Sequence, residues 1–402
     1  MNNRDNKLKK ALVIGAGGFV GRYLVEHLHN DLGMEVWATK LPGEELGDIP
    51  AKVRELDVLG KEAIVDLLFE SRPDYIFHLA AQSSVSVAWY NPQLTIDTNI
   101  KGAVNVLDAV RELFYKPRIV LVGSGEEYGY IEPGDTPIRE DHKTEPGNIY
   151  AATKACQNML GSIYSKAYDM EIVMVRAFNH VGPRQPSIFV VSDFCKQVAE
   201  IEADKRQPIM YVGNLSAKRD FTDVRDVVRA YALLAMKGEK GETYNVGRGS
   251  AFEIRDVLDK IIAMSDKNIK VEIDQAKIRP VDVPIIEADI SKLTKATGWE
   301  PCISMEDTLK EVLDYWRGVV ASKEEMDHDD VFLKKYGISR EDYILNRKFN
   351  KAKELLRFTI KSIDEIVVES GIGEGDLRRM LMEAEKMTPE DYRKKWAQWI
   401  KS

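Results

Sequence analysis

The sequence predicts an α/β protein: a doubly wound parallel sheet, a smaller C-terminal substrate domain and an extra helical tail. Three observations predict it. Short apolar runs alternate with helical patterns through the first half of the chain. The runs are apolar on both faces, as strands of a sheet covered on two sides must be. A glycine-rich turn follows the first run directly, where such sheets bind ligands.

The predicted strands are "ALVIG" (11–15), "EVWAT" (35–39), "YIFHLA" (75–80), "RIVLVG" (118–123) and "EIVMVRAF" (171–178). Helical stretches fall between them at 20–30, 61–71, 92–114 and 148–168. Past residue 180 the alternation loosens into polar loops, and "TGWEPCISMEDTLKEVLDYWR" closes this part with a turn and an amphipathic helix. Residues 1–178 read as the cofactor-type domain and 179–321 mainly as the substrate domain. Residues 322–402 read as a helical extension of unknown role. In the tail Phe349, Ala352, Leu356, Ile360, Ile363 and Val367 recur at three- and four-residue spacing, predicting one apolar helix face. "TPED" at 388 predicts a further helix, with threonine as N-cap and proline first.

The 402 residues suffice for one large unit plus an appendage. Apolar residues make up 44% and charged residues 30%, and the net charge is −8. With no basic excess to neutralise phosphates, nucleic acid is not the expected partner, although a local basic pocket for a small anion is compatible. "MNNRDNKLKK" carries no apolar signal-type segment, and no run is long enough to span a bilayer. Cys156, Cys195 and Cys302 are sparse and form no CxxC pair, which argues for a reducing compartment and against structural zinc. The expectation is a soluble, cytoplasmic protein without a metal site.

The turn "GAGGFVG" sets Gly15, Gly18 and Gly21 at G-x-x-G-x-x-G spacing. Gly15 permits the tight turn, Gly18 lets backbone approach a pyrophosphate, and Gly21 lets the helix pack near the strand. The following helix N-terminus then faces the phosphates with its partial positive charge. Alone such a turn is weak evidence; between a strand and a helix at the start of this pattern it points to a dinucleotide. After the second run the chain reads "WATKLPG", with Thr39 and Lys40 and no carboxylate before Glu44. A ribose-binding acid is missing there and a cation stands beside the gap, so NADP(H) is favoured and NAD(H) remains possible. Asp57, downstream of that loop, is placed to receive the adenine.

"VLVGSGEEYG" (120–129) brings Ser124 and Glu126 to the end of a strand. "NIYAATKACQNMLGSIY" (148–164) opens a helix with Tyr150 and sets Lys154 on the same face one turn later. A phenol of ordinary pKa near 10 is a poor acid–base group at neutral pH, and a nearby lysine and an oxidised nicotinamide favour its phenolate. Ser124 would hold a carbonyl oxygen while Tyr150 donates its proton. By itself Y-x-x-x-K is a chance spacing; with the glycine turn upstream and Ser124 at the preceding strand end, it reads as a catalytic set.

These three features together resemble the extended short-chain dehydrogenase/reductase family over residues 8–320. "HLAAQSSV" (78–85) and "TNIKGAVNVLDAV" (98–110) fit the family's fourth strand and following helix. The resemblance implies a Rossmann-like domain, a nicotinamide cofactor, and Ser124, Tyr150 and Lys154 as catalytic residues. It places the cofactor against Gly15, Gly18, Phe19, Val20, Gly21, Thr39, Lys40, Asp57, Val58, Leu79, Ala80, Ala81, Tyr150 and Lys154. "RAFNHVGPRQ" (176–185), "VGNLSAKRDFTDVRD" (212–226) and "RPVDV" (279–283) resemble the nucleotide-sugar segments of its GDP-mannose branch. The resemblance there assigns Ser83, Asn179, Lys196, Arg219, Arg279 and Asp282 to a GDP-sugar substrate, Asp282 standing where a glutamate is usual. Converging cations are what a diphosphate requires. The family's usual dimer helices correspond to 92–114 and 148–168, so a homodimer or homotetramer is implied.

The branch holds both reductases and 4,6-dehydratases. A dehydratase needs a base for the C5 proton, and Glu126 would serve; a reductase needs only Ser124, Tyr150 and Lys154. Gly125 stands where dehydratases often carry an acid or hydroxyl. The plain loop "KLPGEELGDIP" and the lead-in "PIREDHKTEPGNIY" also lack dehydratase features. The favoured expectation is therefore reduction of the C4 ketone of a GDP-4-keto-6-deoxyhexose, with a GDP-mannose or GDP-heptose 4,6-dehydratase as the alternative. A remoter alternative makes the front domain a cofactor-binding scaffold and the tail an interaction module.

Overall fold

In the computed structural model, residues 8–278, 283–322 and 340–400 are described. They form two compact units, one drawn mostly from residues 8–322 and one mostly from the helices after residue 340.

In the first unit the strands are β1 (Lys10–Ile14), β2 (Glu35–Lys40), β3 (Lys52–Glu55), β4 (Tyr75–His78), β5 (Arg118–Val122) and β6 (Ile172–Ala177). Further strands are β7 (Asn179–Val181), β8 (Ile209–Val212), β9 (Lys218–Asp223), β10 (Thr243–Val246), β11 (Ala251–Glu253), β12 (Lys270–Ile273) and β13 (Ile285–Ile286). The helices are α1 (Phe19–Glu26), α2 (Lys61–Ser71), α3 (Val85–Tyr90), α4 (Pro92–Ile96), α5 (Gly102–Arg111) and α6 (Ile149–Tyr168). They continue with α7 (Val190–Glu202), α8 (Val224–Lys237), α9 (Ile254–Ile262), α10 (Ser291–Thr297) and α11 (Met305–Ala321).

Seven strands form one parallel sheet in the order β10-β6-β5-β4-β1-β2-β3. Side chains alternate across it: Ala11 and Val13 join the core under α1, α8 and α10, while Leu12 and Ile14 join the core under α2, α5 and α6. All four are fully buried, and a large aliphatic side chain so placed contributes roughly 1.5–3 kcal/mol. The strand order reverses beside β1, opening a crevice at the C-terminal strand ends between β1 and β4.

The five predicted strands and the helices 61–71 and 148–168 are present, with ends shifted by one or two residues. The stretch 92–114 is instead α4, a wider turn at Asp97–Lys101, and α5. Two sheet strands lie outside the predicted set. The edge strand β3 reads "KVRE" and is largely exposed, so it carries no apolar run. The other edge, β10, comes from residues 243–246 and pairs with β6. Beyond the sheet, β9 pairs with β7, β11 and β13, a small platform past residue 179.

Among the described residues the tail unit holds the helices Arg340–Phe358, Ile363–Ser370, Glu374–Glu385 and Pro389–Ile400. Phe349, Ala352, Leu356, Ile366, Leu377, Leu381 and Tyr392 form its core. The single apolar face predicted from Phe349 to Val367 is in fact two helices. Ser362 breaks it: its hydroxyl accepts the Glu365 N–H while the Glu365 carboxylate accepts the Ser362 N–H, a capping box that starts a new helix. Ile360, in the break, is fully exposed rather than buried. The helix predicted at Pro389 is present, with Thr388 accepting the Asp391 N–H at 3.1 Å.

Candidate active site

The glycine turn joins β1 to α1 and is built by backbone needs. Gly15 has φ +90°, and a Cβ there would stand 2.6 Å from the Ala80 nitrogen. At Gly21 a Cβ would stand 2.4 Å from the Ala16 Cα, which is why the helix packs so near the strand. At Gly18 an added Cβ meets only the Gly15 carbonyl at 3.5 Å, so this side of the turn is open to an approaching group. The Leu79 and Ala80 N–H groups both donate to the Ile14 carbonyl at 2.9 Å, seating the β4 end beside the turn. The open, glycine-lined cradle before a helix N-terminus fits a dinucleotide pyrophosphate.

Thr39 is buried, and its hydroxyl accepts the Gly15 N–H at 2.9 Å, so it braces the turn. Lys40 pairs with Glu55 at 3.2 Å and donates to the Glu44 carbonyl at 2.6 Å. The Glu44 carboxylate, which accepts the Leu41 N–H, lies over Gly17. Asp57 is exposed and accepts the Leu59 N–H, and Val58 packs against Gly102. Phe19 stacks on His180 with ring centres 6.0 Å apart, and Val20 packs into the core below. Ala81 is half-buried and Ser83 exposed.

At the end of β5 the chain turns through Ser124 into a short helical turn, Gly125–Tyr128. The Asn148 side chain starts α6 by accepting the Ala151 N–H at 2.8 Å, and its amide donates to Glu126 at 3.3 Å. This places Tyr150 against Ser124, whose side chain is a hydrogen-bond partner of the phenol. Lys154 donates to the Val122 carbonyl at 2.8 Å and to the Gln157 side chain at 3.0 Å. Ser124, Tyr150 and Lys154 thus meet at the strand end, with Glu126 half-buried beside them.

Burial raises the Tyr150 pKa well above the ordinary phenol range; Ser124 opposes this, and Glu126 and Glu127 add to it. The sequence favoured a lowered value, but desolvation of the phenolate outweighs the effect of neighbouring groups. Burial lowers Lys154 to about 8, against the pull of Glu127.

On the substrate side, Asn179 opens β7 and pairs with Phe221 in β9, two residues from Arg219. The β7–β9 ladder therefore sets Asn179 and Arg219 on adjacent strands, two positions apart in register. Arg219 donates to the Lys218 and Val283 carbonyls at 2.8 and 2.7 Å. Lys196, on α7, faces Glu200 at 3.5 Å and lies 5.9 Å from the Trp316 ring centre, so it is held by its own neighbours. Arg279 and Asp282 lie outside the described residues.

Several groups at the site were not singled out from the sequence. Glu127 is wholly buried, accepting from the Ser124 N–H and from Arg176, each at 2.9 Å. The spacing Ser124-x-x-Glu127 was readable as a capping box. His78, at the end of β4, is buried with neither ring nitrogen bonded, and burial with the Lys154 charge lowers it to about 3. No periodicity marks it. Among the described residues no cluster of His, Cys, Asp and Glu could hold a metal ion, and no helix is long and apolar enough to cross a membrane.

Sheet order, glycine cradle and the Ser–Tyr–Lys set at the strand ends define a short-chain dehydrogenase/reductase. The chain belongs to the GDP-mannose 4,6 dehydratase family, whose model matches residues 12–312. It is 29% identical over 312 residues to the GDP-6-deoxy-D-mannose reductase of Pseudomonas aeruginosa, covering 78% of this chain and 98% of that one. It is 26% identical to the GDP-mannose 4,6-dehydratase of Yersinia enterocolitica, covering 76% and 93%. Among solved structures, RMD from Pseudomonas aeruginosa complexed with NADPH superposes with a TM-score of 0.68 at 27% identity, over 77% of this chain and 99% of that one. UDP-glucose 4-epimerase from Thermotoga maritima, with UDP-glucose, gives 0.69 at 27% identity over the same shares. The resemblance read from the sequence holds.

Proposed function

We propose that the protein reduces the C4 ketone of a GDP-4-keto-6-deoxyhexose, with NADPH favoured over NADH. The observation that carries this is the meeting of Ser124, Tyr150 and Lys154 in a buried corner where the phenol is kept protonated. Bound in the glycine cradle, a reduced nicotinamide supplies the hydride. Ser124 fixes the ketone oxygen, and Tyr150 donates the proton that turns the developing alkoxide into a hydroxyl. Lys154, anchored on the Val122 carbonyl, presents a positive charge that favours proton release from Tyr150. Burial excludes water from the proton transfer.

Gly15, Gly18, Phe19, Val20 and Gly21 would hold the cofactor's diphosphate, with Leu79, Ala80 and Ala81 along its path. Lys40 would meet a 2′-phosphate on leaving Glu55, which supports NADPH. Asn179 and Arg219 would take the nucleotide diphosphate, joined by Lys196, Arg279 and Asp282, with Ser83 near the sugar. Residues 179–321 supply most of that pocket.

The reductase reading gains support from Gly125. A Cβ there would lie 3.2 Å from the Phe178 ring, so the acid or hydroxyl that helps water leave would have to push that ring aside. The dehydratase reading has one observation in its favour, the carboxylate of Glu126 standing by Tyr150.

A homodimer is proposed through α3, α4 and α6, which lie side by side. Trp89, Ile96, Met159 and Ile163 are 42–61% exposed there, an apolar face of the kind that associates.

The test mixes the protein and NADPH with GDP-4-keto-6-deoxymannose and follows nicotinamide absorbance, with Tyr150→Phe as control. Consumption lost in the control supports the reading. No consumption, with conversion of GDP-mannose to a 4-keto sugar instead, would make the protein a dehydratase.

A further inference from the structure

We propose that Glu127 is a positioning residue for proton donation: its carboxylate fixes Ser124 from one side of the Val122–Ser124 segment that Lys154 anchors from the other, and sets a negative charge beside the proton-handling pair, Tyr150 and Lys154. The inference rests on the reductase reading above.

The geometry starts with Gly123. A Cβ there would stand 2.2 Å from a Glu127 oxygen and 2.7 Å from the Val175 carbonyl, so a side chain at 123 and a carboxylate at 127 exclude one another. In the space left free, one Glu127 oxygen accepts the Ser124 N–H at 2.9 Å. The other accepts from the Arg176 guanidinium, also at 2.9 Å. Arg176 is fixed in turn by the Tyr128 hydroxyl at 3.0 Å and the Glu140 carbonyl at 3.1 Å. The Tyr128 hydroxyl donates to Asn245 at 2.7 Å. The carboxylate therefore has a single position, and both its oxygens are used.

A wholly buried carboxylate is costly and is retained only where partners hold it. Here it faces the two groups that handle the proton. Around Tyr150 stand Ser124, Glu126 and Glu127 from the loop after β5, and Tyr231 from α8. Around Lys154 stand Glu127, Gln157 on its own helix and the neutral His78 of β4. Glu127 is the negative group common to both sets. Burial raises the Glu127 carboxyl to about 7, against the pull of Arg176 and the Ser124 N–H, so it is charged at the pH near 8 where Lys154 titrates. That charge disfavours a phenolate at 150 and favours an ammonium at 154, the pairing a proton donor needs.

Glu127→Gln keeps an oxygen for the Ser124 N–H and removes the charge. Lysine labelled with 13C at Cε is titrated by NMR in wild type and variant, the Lys154 signal being assigned by its loss in Lys154→Met. This reading needs no substrate, so it stands apart from the test of the reductase reading. The expected result is a Lys154 titration about one pH unit lower in the variant, because a nearby opposite charge shifts a pKa by that order. In the ketone reduction the alkaline limb of kcat/KM moves down with it, a loss of about tenfold on that limb. Glu127→Asp, which keeps the charge, retains more of the wild-type titration. An unmoved titration in a folded Glu127→Gln, or an equal loss of activity at every pH, overturns the proposal. Should unmatched Arg176 prevent folding, Glu127→Gln with Arg176→Gln is read in the same way. Failure of both to fold assigns Glu127 to stability alone and equally overturns it.

Discussion

Lys154 and Glu127 hold opposite ends of one three-residue segment. The Lys154 ammonium donates to the Val122 carbonyl at 2.8 Å, and the Glu127 carboxylate accepts the Ser124 N–H at 2.9 Å. Gly123 between them has no side chain to spoil either contact. A nucleophile-free site of this kind depends on placement, and here the placement of Ser124 is fixed from both sides.

Lys154→Met is expected to abolish reduction and to raise stability. Lys154 is lowered to about 8 by burial, whereas an unfolded lysine titrates near 10.4. Between those values the unfolded chain holds a proton that the folded one has lost, so stability rises with pH from about 8 to about 10. At pH 7 the buried ammonium is a net cost. Its removal should gain about 1 kcal/mol, or roughly 2–4 °C in melting temperature. Urea unfolding at pH 7 and pH 10 checks this, and the variant should lack the rise between them.

The wild-type enzyme should lose activity as pH rises through about 8, where Lys154 gives up its proton. A pH profile of kcat/KM for the 4-keto sugar reads this directly. A flat profile to pH 10 would remove Lys154 from the proton-handling set.

Gly15→Ala and Gly18→Ala should separate folding from cofactor binding. The first meets the Ala80 nitrogen at 2.6 Å with φ at +90°, and should cost about 2–3 kcal/mol in denaturant unfolding. The second meets nothing closer than 3.5 Å and should leave stability nearly unchanged. It should weaken NADPH binding by about tenfold or more, as calorimetry would show, because the methyl occupies the cradle.

Asp220→Asn should destabilise the β9 platform. The buried carboxylate accepts the Arg248, Gly249 and Ala288 N–H groups at 2.6, 3.0 and 3.1 Å. An amide offers one oxygen where two are used, leaving a donor unmet at about 1–3 kcal/mol. Thermal melting of the variant checks the loss.

Ile163→Glu with Met159→Glu should turn a dimer into a monomer in light scattering, since both side chains are more than half exposed on α6. An unchanged mass would place the interface elsewhere.

The sheet's inner strands were legible because they are apolar on both faces, and Tyr150 and Lys154 because helix geometry puts i and i+4 on one face. The exposed edge β3 lacked that signal, and β10 is four residues in a polar surrounding. One overlooked pattern explains two misses. Ser-x-x-Glu occurs at Ser124–Glu127 and at Ser362–Glu365, and both are capping boxes. At the first it supplies the carboxylate that accepts the Ser124 N–H. At the second it ends what reads as one continuous apolar face and leaves Ile360 in water. The raised Tyr150 pKa was not legible, because burial depth is a property of the packed chain.

The last strand to join the sheet, β10, is encoded some 70 residues after its neighbour β6, between Thr243 and Val246. During synthesis β6 must therefore wait with an unpaired edge while the β7–β9 platform and α8 are still being made, and such edges invite pairing with other chains. The N-terminal half is not a portable cassette: cut at residue 178, it would carry that bare edge permanently. Grafting this cofactor-type domain onto another substrate module requires keeping residues 243–246 in place, so any exchange has to be made as an insertion.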